Sequence, residues 1–318
     1  MIRKALTTFA LGCMLATGAA HAQNQPTRLI VPFNPGGGSD LFARLVAPGL
    51  GQALGETVIV ENRPGAGGLI GAETVIRSKP ENKMLLVSDS AIYTIAPYIY
   101  TSIAFKLDDM IPVANLASFG NVLVVSANSP YKTLQDVLDA ARKKPAALSI
   151  GSAGNGSITH LTAAKFMEQA KIKLVHVPYK GSGPAIADVA GGHLDMVFTG
   201  LPSVLELLRS GKLRALGSAT TERSPYAPDV PTISESGVPG FESMISQGLF
   251  AAPGTPPETV KKLNAAVTAF VQKPETQDTL RKMMVEPVVQ SADEYRKWLD
   301  SEARDWSELI KRADIKVE

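Results

Sequence analysis

The residues best suited to chemistry in this chain sit in three short loops: Pro35-Gly36-Gly37-Gly38-Ser39-Asp40, Gly151-Ser152-Ala153-Gly154-Asn155-Gly156-Ser157 and Tyr179-Lys180-Gly181-Ser182-Gly183. Each follows an apolar run of strand character and opens a segment of helical pattern. Glycine permits the tight turn and leaves backbone N–H groups uncovered. At a helix N-terminus those groups sit where the dipole favours an anion. A carboxylate or phosphate can be held there without Arg or Lys, and Ser39, Ser152 and Ser157 add hydroxyl donors. Glycine-rich turns also serve as plain helix caps, so no single loop is decisive. Three of them in one chain point to an anion site.

Other chemistries find less support. Gly151 to Gly156 runs G-x-x-G-x-G, the reverse of the dinucleotide fingerprint, and no G-x-x-x-x-G-K-[ST] occurs. No G-x-S-x-G marks an activated serine. His160, His176 and His193 lack ligand spacing, so no metal site and no cofactor is expected. Asp40 reads either as a ligand contact, as a clamp on its loop, or as an ordinary acid in a first helical turn. Asp195, after Gly191-Gly192-His193, either pairs with a ligand ammonium or caps the turn. Lys180 is placed to neutralise a carboxylate, Tyr179 to close over a ligand, and His160 either faces a cleft or is satisfied within its helix start.

The elements that must position these loops alternate. Apolar runs at 28–32, 57–60 and 84–87, joined by helical patterns, predict parallel strands buried on both faces. The rhythm restarts with runs at 122–125, 148–150, 174–177, 195–198 and 213–216. Thr133, with Asp136 three residues on, opens a helix as its N-cap. A proline-rich irregular segment follows, with Pro225, Pro228, Pro231 and Pro239. Then come one strand at 248–252 and a helical remainder ending in an amphipathic helix through Trp298 and Trp306, whose spacing suits a packed face. A lone strand has no sheet of its own, so it is expected to return to the first unit. The chain then crosses twice, near 119–123 and 222–246, which makes a hinge and a cleft. The expected division is residues 23–121 with 223–318 as one lobe and 122–222 as the other.

Composition fixes the setting. Arg3 and Lys4 precede an apolar stretch from Ala5 to Gly18, too short for a bilayer span, and Ala20-His21-Ala22 supplies the small residues of a cleavage site. Residues 1–22 therefore read as a signal peptide cut after Ala22, and the protein as periplasmic. Cys13 is the single cysteine and leaves with the leader, so no disulfide or thiolate is expected. Of 32 Lys+Arg and 30 Asp+Glu, removing Arg3 and Lys4 leaves 30 against 30, and a nucleic-acid partner is not expected.

These segments resemble one family. Ile30-Val-Pro-Phe-Asn-Pro-Gly-Gly-Gly-Ser-Asp40, Val60-Glu-Asn-Arg-Pro-Gly-Ala-Gly-Gly68, Gly151 to Ser157 with His160, Val177-Pro-Tyr-Lys-Gly-Ser-Gly-Pro-Ala185, Gly191-Gly-His-Leu-Asp195 and Phe250-Ala-Ala-Pro-Gly-Thr-Pro256 are similar, in order, to motifs of the Bug family of tripartite tricarboxylate transporter receptors (TctC-like). The resemblance implies an α/β, two-lobed periplasmic-binding-protein (Venus-flytrap, type II-like) fold. It implies a carboxylate ligand (an organic, amino or aromatic acid) held by backbone and hydroxyls of the loops Phe33 to Asp40 and Ser152 to Ser157. His160, Tyr179, Lys180, Gly181, Asp195 and Thr199 are secondary candidates. The expected protein is a monomeric solute-binding protein, not an enzyme, serving a membrane permease or a sensor. An exported hydrolase or transferase using the same cleft is the alternative.

Overall fold

The computed structural model describes residues 25–100, 103, 109–224, 227–283, 285, 287–312 and 315. The expected leader, its cut after Ala22 and Pro225 lie outside them.

The first apolar runs form β1 (Thr27–Val31), β2 (Val58–Asn62) and β3 (Met84–Asp89), joined by helices α1 (Gly38–Leu54) and α2 (Leu69–Ile76). β1 pairs in parallel with both β2 and β3. Two short helical turns, α3 (Ala91–Thr94) and α4 (Ala96–Ile99), follow β3. A 16-residue strand, β4 (Ile111–Ser126), then runs through both halves of the molecule. The second half continues with α5 (Leu134–Lys143), β5 (Ser149–Ser152), α6 (Ile158–Ala170), β6 (Val175–Pro178), α7 (Ser182–Ala190), β7 (Met196–Gly200), α8 (Leu201–Arg209) and β8 (Leu213–Ser218). β9 (Met244–Ala251) and helices α9 (Pro257–Val271), α10 (Pro274–Lys282) and α11 (Ala292–Arg312) complete the chain. Thr133 and Asp136 cap α5 reciprocally, side chain to backbone in both directions.

One sheet has the order β2-β1-β3-β9-β4, and the other carries β4 between β7 and β8, with β5 and β6 beyond β7. The expected parallel pairing of the first three runs is found, but the strands that pass between the sheets run the other way. β9 is antiparallel to β3 and β4, and β4 is antiparallel to β7 and β8. Each sheet must accept a strand that arrives from the other, and such a strand is not bound to the direction of the local crossover helices. The first half of β4 escaped the sequence reading because Pro112, Asn115, Ser118 and Gly120 break its apolar run. Its pairing with β9 accommodates them through two register shifts.

The crossings lie side by side. Ala219 N–H donates to Asn121 C=O (2.7 Å), Ser243 N–H to Ala219 C=O (2.9 Å) and Asn121 N–H to Ser243 C=O (3.0 Å). The return to the first sheet comes here, later than the expected residue 223. Ile233, Val238 and Phe241 pack with Leu123, Ile150 and Phe198 in the core of the second sheet, which holds residues 227–243 to that unit. Leu29, Val31, Phe42, Val46, Leu249 and Trp306 belong to the core of the first. Trp298 stacks on Tyr295 at 6.1 Å, so both tryptophans of α11 serve packing.

Candidate functional site

Four helices of nine or more residues begin at one place between the sheets. Gly37 and Gly38 at the start of α1, Ile158 and Thr159 at the start of α6, Ser182 of α7 and Gly200, the cap of α8, all line a cavity of about 30 Å³. The positive ends of four dipoles and their unbonded N–H groups therefore converge on it. Ser39, Thr159, Thr199, Gln247 and Asp89 supply its polar side chains, and no Lys or Arg lines it among the described residues. Such a cavity suits a compact anion held by dipoles rather than by a counter-charge. A larger groove of about 400 Å³ flanks the crossing strands at Asn121, Thr220, Arg223 and Met244, but this convergence is missing there.

The first loop is braced from below. Asp40 is 4 % exposed, and its carboxylate accepts hydrogen bonds from Gly36 N–H (3.1 Å), Arg44 Nε (3.0 Å) and Asn62 Nδ2 (3.0 Å). Burial works against its charge, yet the hydrogen bonds from Arg44 and Asn62 outweigh it and hold the carboxyl below its usual range. Of the readings left open for Asp40, the structure selects the clamp. Asn62 also donates to Phe33 C=O (3.0 Å), which fixes the backbone of the buried, cavity-lining Phe33. Ser39 donates to Gln247 Oε1 (2.9 Å), joining α1 to β9.

The second loop is held by its own hydroxyls. Ser157 Oγ donates to Gly154 C=O (2.7 Å) and caps α6. Ser152 Oγ lies 3.2 Å from Gly154 N–H and 2.7 Å from His176 Nε2. Both serines are 0 % exposed, so they shape the loop rather than offer a nucleophile. Gly156 N–H donates to His160 Nδ1 (3.2 Å), and the His160 ring stacks on His176 at 4.2 Å. Burial, then the neighbouring His176, pushes the His160 pKa down to about 3, and burial also lowers that of His176. His160 thus supports the loop from within its helix start.

Above the cavity the two halves touch. Asn34 N–H donates to Lys180 C=O (2.9 Å), and Tyr100 OH donates to Asn155 C=O (2.6 Å). Gly67, at φ +61°, comes so close that an added Cβ would lie 2.1 Å from the Asn155 carbonyl oxygen. Gly181, at φ +129°, would meet Asn34 N at 2.9 Å. The third loop joins this mouth through its backbone. The Lys180 side chain points to solvent, and Tyr179 OH donates to Asp188 (2.6 Å).

Asp195 is not brought to the site. It precedes β7, at the end opposite Gly200, and its carboxylate accepts from Ser149 N–H (2.8 Å) and Ser149 Oγ (2.7 Å). Four residues of strand separate it from cavity-lining Thr199, roughly 13 Å, and it pins β7 to β5 instead of meeting a ligand. Thr199, at the near end of β7, does line the cavity. Its Oγ1 is wholly buried with no hydrogen-bond partner among the described residues.

Asp89, Thr159, Phe119 and Gln247 escaped the sequence reading. Asp89 ends an apolar run, so the rule that ligands gather at strand carboxyl ends could have found it, but no glycine marked the spot. Gln247 lies inside an antiparallel strand and gave no signal. Asp89 is 6 % exposed, and burial pushes its pKa up to about 7 against the opposing Ala91 N–H bond.

Among known proteins, residues 42–315 match the profile of the tripartite tricarboxylate transporter family receptor. Protein BugT of Bordetella pertussis is 32 % identical over 295 residues, covering 92 % of this chain and 90 % of its own. Two solved structures superpose closely. Rhodopseudomonas palustris Rpa4515 with adipate has 31 % identity and a TM-score of 0.88, covering 93 % of this chain and 99 % of that one. MatC from the same organism, with bound malate, has 29 % identity and a TM-score of 0.85, covering 90 % and 98 %.

Proposed function

The chain belongs to the tripartite tricarboxylate transporter receptor family, and from that premise we propose that it closes two lobes over a small carboxylate. It is a solute-binding receptor of the periplasmic-binding-protein fold and not an enzyme. The hydrolase or transferase alternative falls with this, and the hydroxyls of Ser152 and Ser157 are buried and bonded.

The observation that carries the reading is the convergence of four helix N-termini, free of cationic side chains, on one cavity. The adipate and malate held by two relatives support a carboxylate as the anion. Gly37, Gly38, Ser39, Thr159, Ser182 and Thr199 would meet it directly or through water, and Phe33 would cover it. Gly36, Gly154, Asn155, Gly156, Tyr179, Lys180 and Gly181 would form the closing mouth. We divide the lobes at the crossing strands, with residues 23–120 and 244–318 in one and 121–243 in the other. A ligand that touches both lobes stabilises the closed state by its differential affinity.

No helix among the described residues is long and apolar enough to cross a membrane, and the family's members are periplasmic binding proteins. We propose export by the leader cut after Ala22, action as a monomer, and delivery of solute to a membrane permease. The test is a thermal-shift screen of refolded protein against mono-, di- and tricarboxylates, amino acids, sugars and phosphates. Ligand at ~100 times its Kd stabilises by about 2.7 kcal/mol. Shifts confined to carboxylates support the reading; a shift from a sugar or phosphate alone overturns it.

A further inference from the structure

We propose that Asp89 is the specificity residue of this cavity, and that the captured carboxylate carries a protonated amine whose N–H groups Asp89 accepts. This rests on the carboxylate reading and adds the second group that the ligand must present.

Three other carboxylates of the first sheet's unit are paired with cations: Asp40 with Arg44, Glu56 with Lys83, and Glu61 with Arg28 and Arg63. Asp89 differs. It lines the cavity, is nearly fully buried, and accepts one hydrogen bond among the described residues, from Ala91 N–H (3.1 Å). Its cavity contains no cationic side chain among the described residues. A buried carboxyl needs a proton or a counter-ion, and its raised pKa reflects that need. Thr199 points to the same ligand independently: its hydroxyl is wholly buried, unpartnered and at the cavity wall contributed by β7. A zwitterion meets both demands. Its carboxylate takes the helix N-termini and the Thr199 hydroxyl, and its ammonium takes Asp89, so the ligand enters with no net charge. A dicarboxylate would set its second carboxylate against Asp89 in a low-dielectric site.

The experiment measures calorimetric affinities of the refolded protein and of Asp89→Asn and Thr199→Val for matched pairs: L-alanine and propanoate, L-phenylalanine and phenylpropanoate, L-glutamate and glutarate. Adipate and the amino-acid methyl esters are added. Asparagine keeps the acceptor for Ala91 N–H, so the fold is retained. In the wild type, at least one amino acid is expected to bind at least about tenfold tighter than its deaminated partner, the range of a charge-assisted hydrogen bond. Asp89→Asn is expected to abolish that preference, and Thr199→Val to weaken both members of the pair alike. Deaminated acids or adipate binding as tightly as the amino acids would overturn the role of Asp89 while leaving the carboxylate reading intact. A preference unchanged in Asp89→Asn would do the same. Methyl esters binding as well as free amino acids would overturn the carboxylate reading itself, and no binding by any compound would overturn both.

Discussion

Replacing Asp89 with asparagine should change how stability depends on pH, and the size of the change follows from its surroundings. Burial raises the Asp89 pKa from 3.8 to about 7. Between those values the native state holds a proton that the unfolded chain has lost, so the free energy of unfolding falls as pH rises through the window. At ~1.36 kcal/mol per pH unit, the full loss by pH 8 is on the order of 4 kcal/mol, with roughly 2 kcal/mol already lost at pH 5. Asparagine keeps the bond from Ala91 N–H and does not titrate. Stability of Asp89→Asn relative to wild type should therefore improve by about 3 kcal/mol from pH 5 to pH 8. Chemical denaturation of both proteins at pH 5, 6, 7 and 8, without ligand, measures it. His160 and His176 titrate in the opposite sense, but they are common to both proteins and cancel in the difference. Tyr295, whose pKa burial raises still higher and which interacts with Asp89, stays neutral throughout. A difference that stays constant across the range would refute the argument that Asp89 is buried without a counter-ion.

Other perturbations separate closure, support and binding. Gly67→Ala places a methyl 2.1 Å from the Asn155 carbonyl oxygen and 2.2 Å from Tyr100 Oη; affinity for any ligand found by the screen should fall about tenfold or more, while stability drops only by the ~1–2 kcal/mol of a left-handed alanine. Calorimetry and small-angle scattering with and without ligand check both. The His160–His176 pair should make the protein lose stability as pH falls from 6.5 toward 3, because both native pKa values lie below the unfolded one. His160→Gln should flatten that slope, read from denaturation midpoints at pH 4 and pH 7. Asp195→Ala should cost about 1–3 kcal/mol by leaving Ser149 N–H unpaired, with ligand affinities unchanged; loss of affinity at full folding would return Asp195 to the site.

Much of this protein is set by local chemistry and was open to reading. Apolar runs bounded by glycine and proline gave the strands because their side chains must leave water, although β2 and β6 at the sheet edges are only partly buried. The three glycine-rich loops fell where strands pass into helices, because turn geometry is local. The order of motifs gave the family. What local chemistry could not decide is which groups meet. Four helix N-termini share one cavity only because β4 runs through both sheets, and the first half of β4 carries no periodic signal, being set by pairing with a strand more than a hundred residues away. Residues 227–243 stay with the second unit because Ile233, Val238 and Phe241 find their partners there. Asp195 and Thr199 are four residues apart on one strand, yet they lie at opposite ends of it, one bound to Ser149 and the other facing the cavity. Asp89 draws its meaning from burial and from the absence of a neighbouring cation among the described residues, and both are properties of the packed interior rather than of the residue.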